Sequence, residues 1–208
     1  MSTPRATGVR EGASARVGLA ESDRDLEGIL ALQRALRAPT PDGFVTVRHT
    51  LEVLRAMHAL APSVVARDDA GAVVGYALVM PRETRALVPI LEPMFAKVEE
   101  LPPPALSAAP DPRWYVMGQI AVAPAWRGTG VFDAMYAEHR ARYQDRFDAV
   151  VTEVATRNPR SLRAHERVGF RTLLTYRDET DEWALIAWDW RSKAVGGADV
   201  SPPGRGAG

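Results

Sequence analysis

Residues 120–132 read Ile-Ala-Val-Ala-Pro-Ala-Trp-Arg-Gly-Thr-Gly-Val-Phe. A β-favouring run stops at Pro124, and Arg127-Gly128-Thr129-Gly130 then opens a segment of helical character. Glycines at a strand-to-helix turn let the backbone come close to a ligand. The first amides of the new helix lack internal partners and point toward whatever sits at its end. The backbone of residues 127–132 is therefore a candidate phosphate site.

Outward from this turn the chain alternates. Residues 114–122 form the strand that enters it, and residues 131–146 form the helix that leaves it, with Val131, Met135 and Tyr136 inward. Residues 148–155 are a nearly continuous apolar strand interrupted by Thr152 and Glu153. Asn158 or Ser161 starts a further helix that stops at Gly169. Residues 171–176 and 183–190 close the chain as a hairpin across the acidic turn 178–182. Nearer the N-terminus, residues 15–20 read as a strand. Ser22 caps a helix with Asp25 in its first turn and Leu26, Ile29, Leu30 and Gln33 at helical spacing. Residues 45–60 read as a second helix, ended by Pro62, and residues 63–67 and 72–80 as a hairpin around 68–71.

Residues 81–113 break the pattern. They hold a helix over 90–101 and the run Pro102-Pro103-Pro104, and they are too long for a simple connection. They read as an insert at one end of the sheet that covers the acceptor side of the site, with Met94 and Phe95 available to line a pocket. Strands alternating with helices, with hairpins at both ends, predict an α/β (α+β) fold: a central mixed, largely antiparallel sheet with helices on both faces. Residues 15–192 read as one domain. Residues 1–14 and 193–208 read as tails, because they offer too little apolar surface to offset the entropy of ordering.

Composition narrows the function. Lysine plus arginine and aspartate plus glutamate number 26 each, which argues against a dedicated nucleic-acid binder. Absence of cysteine removes disulfides, thiolate metal sites and a cysteine nucleophile. His49, His58, His139 and His165 show no metal-ligand spacing, so no metal is expected. No apolar run of about 18 residues is present, so no membrane span is expected. The first 15 residues lack the apolar core of a secretory leader, which makes the cytoplasm the expected location.

The Gly turn is followed, one strand later, by Asn158-Pro-Arg-Ser-Leu-Arg-Ala-His165-Glu-Arg-Val-Gly169-Phe170. This order resembles the GNAT superfamily of acetyl-CoA-dependent N-acetyltransferases. That family carries Arg/Gln-x-x-Gly-x-Gly/Ala after its fourth strand, then an Asn, then a Tyr or His seven residues later, shortly before Gly-Phe. Arg127, Gly130, Asn158, His165, Gly169 and Phe170 fit those places, and Phe132 departs from the pattern where the family has a small residue. The resemblance is loose from residue 15 and specific over residues 114–190.

It implies the GNAT fold and direct acetyl transfer from acetyl-CoA to a primary amine of a small molecule or peptide. The amides of Arg127, Gly128, Thr129, Gly130, Val131 and Phe132 would hold the pyrophosphate. The strand backbone at Ile120, Ala121 and Val122 would pair with the pantetheine arm, and a splay between this strand and residues 148–155 would open the slot. Asn158 would bond to the cofactor or cap its helix, as would Ser161. His165 would donate a proton or hydrogen bond to the departing sulfur, or pack. Glu153, in an apolar strand where a carboxylate holds its proton, would deprotonate the amine, or pair at a sheet edge.

Gln119 and Tyr115 are further polar candidates. Arg157, Arg160, Arg163 and Arg167 would meet the CoA 3′-phosphate or form a solvated helix face, and the turn 178–182 would attract a cation or merely turn. Trp183, Trp188 and Trp190 read as core or homodimer contacts. A fold that binds acyl-CoA without transfer is the alternative reading.

Overall fold

In the computed structural model, residues 15–36 and 47–191 are described; both tails and the expected start of the second helix at Val45 lie outside them. The chain runs β1 (Arg16–Leu19), α1 (Asp23–Ala35), α2 (Leu51–Leu60), β2 (Val64–Arg67), β3 (Val73–Ala77) and β4 (Met80–Pro81). The insert follows, with 3₁₀ turns at Arg82–Leu87 and Pro89–Leu91, then α3 (Glu92–Glu99) and α4 (Pro103–Leu106). Then come β5 (Trp114–Val116), β6 (Ile120–Val122), α5 (Val131–Tyr143), β7 (Ala149–Ala155), α6 (Pro159–Val168), β8 (Arg171–Arg177) and β9 (Glu182–Asp189).

The strands divide between two sheets, ordered β1-β2-β3-β6 and β4-β5-β7-β9-β8. All pairs are antiparallel except β5 with β7. One face packs against α1, α2 and the insert, around Ile29, Met57, Tyr76, Phe95, Val116 and Val151. The other packs against α5 and α6, around Met135, Tyr136, Val150 and Phe170.

Helix starts follow local chemistry and, once, tertiary contacts. At α1, the Asp25 carboxylate accepts from the backbone amides of Glu21 and Ser22 and from Arg67 of β2, at 2.8, 3.2 and 2.8 Å. The second helix begins later than its apolar pattern suggests. Thr50 caps it, accepting from the Val53 amide at 3.2 Å. Before it, the Val47 carbonyl accepts from Gln119 Nε2 at 3.1 Å, and the His49 amide donates to Gln33 Oε1 at 3.3 Å. Those backbone groups are held by side chains from the core, and residues 47–50 stay outside the helix.

Each of the runs 72–80 and 114–122 crosses from one sheet to the other. Ala77 pairs with Ile120 and Met80 with Val116, so Leu78 and Val79 lie opposite Met117, Gly118 and Gln119. The extra residue is a β-bulge, and bulges re-aim side chains. Tyr115 and Met117 point toward α5, whereas Ala121 lies in the α1 core and the Gln119 amide bonds Gln33 of α1. Gly118 fits the bulge because Met80 lies over it: a Cβ there would come within 2.0 Å of Met80 Sδ.

The insert corrects one expectation. Met94 and Phe95 are 1% and 0% exposed and sit in the core, with the Phe95 ring 5.9 Å from that of Trp114. The segment crosses the sheet toward its far edge: Ser107 Oγ donates to Asp189 at 2.7 Å, and Arg171 donates to the Ala105 carbonyl at 2.6 Å. It thus covers the end of β7 near Ala149, away from Glu153, and supplies no wall to the cavity described next. No helix among the described residues is long and apolar enough to cross a membrane.

Candidate active site

Beyond the bulge the two sheets part. The Met117 amide still donates to the Val151 carbonyl at 2.8 Å, but β6 then follows β3 while β7 follows β9. Leu78 N–H donates to the Gln119 carbonyl and Ala123 N–H to the Val74 carbonyl, at 2.9 and 2.8 Å. Antiparallel alternation then turns the backbone of Ala121 toward Tyr76, and that of Ile120 and Val122 away from β3 and into the gap. Ala121 is therefore corrected: its backbone belongs to the β3 ladder and its side chain to the core. The Val122 carbonyl already accepts from Arg127 Nε at 3.2 Å.

The Gly turn lies at the end of β6. Gly128 and Gly130 have φ of +79° and +86°, left-handed values that a β-carbon would strain, and no atom lies within 4 Å of where either Cβ would be. The Thr129 hydroxyl donates to the Trp126 carbonyl at 2.7 Å, which tightens the turn and leaves the Thr129 backbone amide as the residue's donor to an anion. Gly130 is the N-cap of α5 and provides no side-chain cap. The first amides of this helix, from Val131 onward, are orphan donors at the positive end of its dipole. Phe132 does not block them. Its ring packs against α6, edge-on to His165 at 5.2 Å and to Tyr136 at 5.1 Å.

One cavity brings together Ile120, Glu153, Asn158, Ser161 and His165 of the expected residues, and Gln119 with them. It also takes in Met117, Gly118, Thr152, Val154, Ala155 and Trp183, which sequence reasoning did not place there. A lone glycine inside a strand pattern was the available signal for Gly118; the others look like ordinary strand residues.

Asn158 caps α6, its Oδ1 accepting from the Ser161 amide at 3.1 Å. His165 is 2% exposed. Its Nδ1 lies 2.8 Å from the Ser161 carbonyl, which can only accept, so Nδ1 carries the proton and Nε2 presents a lone pair without a hydrogen-bond partner. Burial pushes this imidazole down to about 4, the bond to Ser161 opposing. In this state Nε2 accepts, the opposite of the donor role the family pattern implies.

Glu153 leaves β7 on the other side. Burial pushes its carboxyl up to about 7; the Tyr176 phenol, which donates to it, works against that rise, and the charge of Asp178 adds to it.

Other candidates fall elsewhere. Tyr115 is fully buried, its hydroxyl 2.7 Å from His139 Nδ1. Arg157 pairs with Asp181 at 2.5 Å, and Arg167 with Asp133 in the first turn of α5 at 2.7 Å; Arg160 and Arg163 are exposed on α6. Trp188 and Trp190 pack in the core beneath α5 and α6.

The matching family model is the acetyltransferase (GNAT) family, over residues 30–170, and the chain belongs to that family. No curated protein matches the sequence closely enough to count as a relative. Among solved structures, it is similar to a phosphinothricin acetyltransferase from Sinorhizobium meliloti in complex with AcCoA, with 18% identity and a TM-score of 0.58 over 84% of this chain and 88% of that one. The N-acetyltransferase YhbS from Escherichia coli, in complex with CoA, matches with 19% identity and a TM-score of 0.54 over 91% and 85%. The NatC complex bound to Gag peptide and CoA matches with 12% identity and a TM-score of 0.59 over 84% and 98%. At these identities the likeness is one of fold.

Proposed function

We propose that this protein transfers an acetyl group from acetyl-CoA directly to a primary amine of a small molecule or peptide. The observation that carries the reading is the uncapped start of α5 behind two left-handed glycines, opening beside a strand edge with outward-facing backbone groups. A pyrophosphate suits the orphan amides from Val131 onward, and an amide-bearing arm suits the backbone of Ile120 and Val122. Structural neighbours bound to acetyl-CoA or CoA support the same donor.

Glu153 is the proposed base. It takes a proton from the arriving ammonium and leaves a neutral amine to attack the thioester carbonyl. As the carbon–sulfur bond breaks, the second proton of the attacking nitrogen passes to the thiolate, so no protonated His165 is required. His165 Nε2 is instead an unpartnered acceptor buried beside the cavity, which the donor arm would reach by displacing the packing around it. A thiol-release screen with acetyl-CoA across aminoglycosides, polyamines, amino acids and peptides tests the transfer. Acetyl-CoA binding by calorimetry without thiol release from any amine would instead indicate a CoA-binding module, and no binding at all would remove the donor assignment.

A further inference from the structure

We propose that Tyr176 is a positioning residue for Glu153: from the edge strand β8 its phenol reaches past β9 to the carboxylate and fixes it at the cavity. This rests on Glu153 being the base. The register makes the reach specific. Glu153 lies opposite Leu185 and Ala155 opposite Trp183 across β7 and β9, while Tyr176 lies opposite Trp183 across β9 and β8. The phenol therefore runs diagonally over β9 and donates to Glu153 Oε2.

The surroundings leave few other polar groups to do this. On the same face β9 presents Leu185 and Trp183, β5 presents Trp114 and Val116, and β8 presents Leu174 besides Tyr176. Asp178, from the turn after β8, is the charged group acting on the carboxylate, and it repels it. Burial and the negative Glu153 keep the phenol protonated far above the usual tyrosine range, so it remains a donor at every working pH. A donor to a carboxylate favours its ionised form. Tyr176 thereby limits how strongly the buried Glu153 holds its proton, and keeps the base usable near neutrality.

The test is a ¹³C NMR titration of the Glu153 carboxyl, assigned by its loss in Glu153→Gln, in the wild type and in Tyr176→Phe. The phenylalanine keeps the ring and removes the hydroxyl. The midpoint is expected to move up by about one to two pH units, the effect of losing one hydrogen bond to a charged group. A midpoint unchanged by Tyr176→Phe would overturn the proposal. With an amine identified by thiol release, the rising limb of kcat/KM is expected to move by the same amount while acetyl-CoA affinity stays constant. Full turnover in Glu153→Gln would refute Glu153 as the base but would leave the NMR shift standing, so the two failures are separable.

Discussion

Glu153 and His165 reach one cavity from opposite faces of β7. Side chains alternate along a strand, so Thr152 and Val154 face the α5–α6 layer that holds His165, and Glu153 faces the α1 side. Glu153 and the layer that holds His165 thus lie on opposite faces of one strand and meet only at the cavity. Glu153→Gln is expected to lower turnover by about 100-fold or more while leaving acetyl-CoA affinity unchanged. Because the base acts ionised and its carboxyl sits at about 7, turnover should rise with pH through that value. Steady-state kinetics from pH 5.5 to about 9 checks this, and a flat profile would count against Glu153.

His165 should contribute no limb to that profile, since its imidazole is held neutral down to about 4. His165→Phe separates shape from chemistry. The ring still fills the space among Phe132, Tyr136 and Phe170, while the unpartnered Nε2 disappears. A buried polar atom without a partner costs about 1–3 kcal/mol. The lost Nδ1 bond to Ser161, about 0.5–1.5 kcal/mol, offsets much of that gain, so the variant is expected to melt close to the wild type and to turn over more slowly. Unchanged turnover would show that His165 is a packing residue.

Gly130→Asp tests the phosphate site. The new side chain would enter open space, so no clash confuses the result, but φ of +86° would strain it by about 1–2 kcal/mol. Its carboxylate would compete for the amides from Val131 onward. Calorimetry is expected to show loss of acetyl-CoA binding in a protein that still melts cooperatively.

Gly118→Ala tests the bulge. Its methyl group would press on Met80, and overpacking of this kind costs about 1–3 kcal/mol. In a Met80→Ala background the same change should cost less, because the obstructing thioether is gone. A double-mutant cycle by chemical denaturation measures that coupling; strict additivity would show that Met80 is not the constraint.

What was legible in the sequence was local. The Gly turn, the Asn158 cap and the stop at Gly169 depend on neighbours a few residues away, and all three are in the structure. What was hidden depends on register or on distant partners. Tyr176 meets Glu153 only because β9 lies between their strands, and no spacing along the chain encodes that diagonal. The helix expected from Val45 begins instead at Leu51, because Gln33 and Gln119 hold the backbone before it. Met94 and Phe95 were apolar enough for either a pocket or a core, and only the path of the insert decides between them.

Gly118 behaves like an inserted letter in a reading frame. Before it, the odd-numbered Tyr115 and Met117 are read toward α5; after it, the odd-numbered Gln119 and Ala121 are read toward α1. Deleting this residue would leave Met117 and Gln119 opposite Val79 and Leu78, two against two, so the ladder would close as a regular one with every side chain on its present face. What would be lost is the local bend of the bulged strand, so this one residue shapes how the two sheets part without choosing which side chains line the gap.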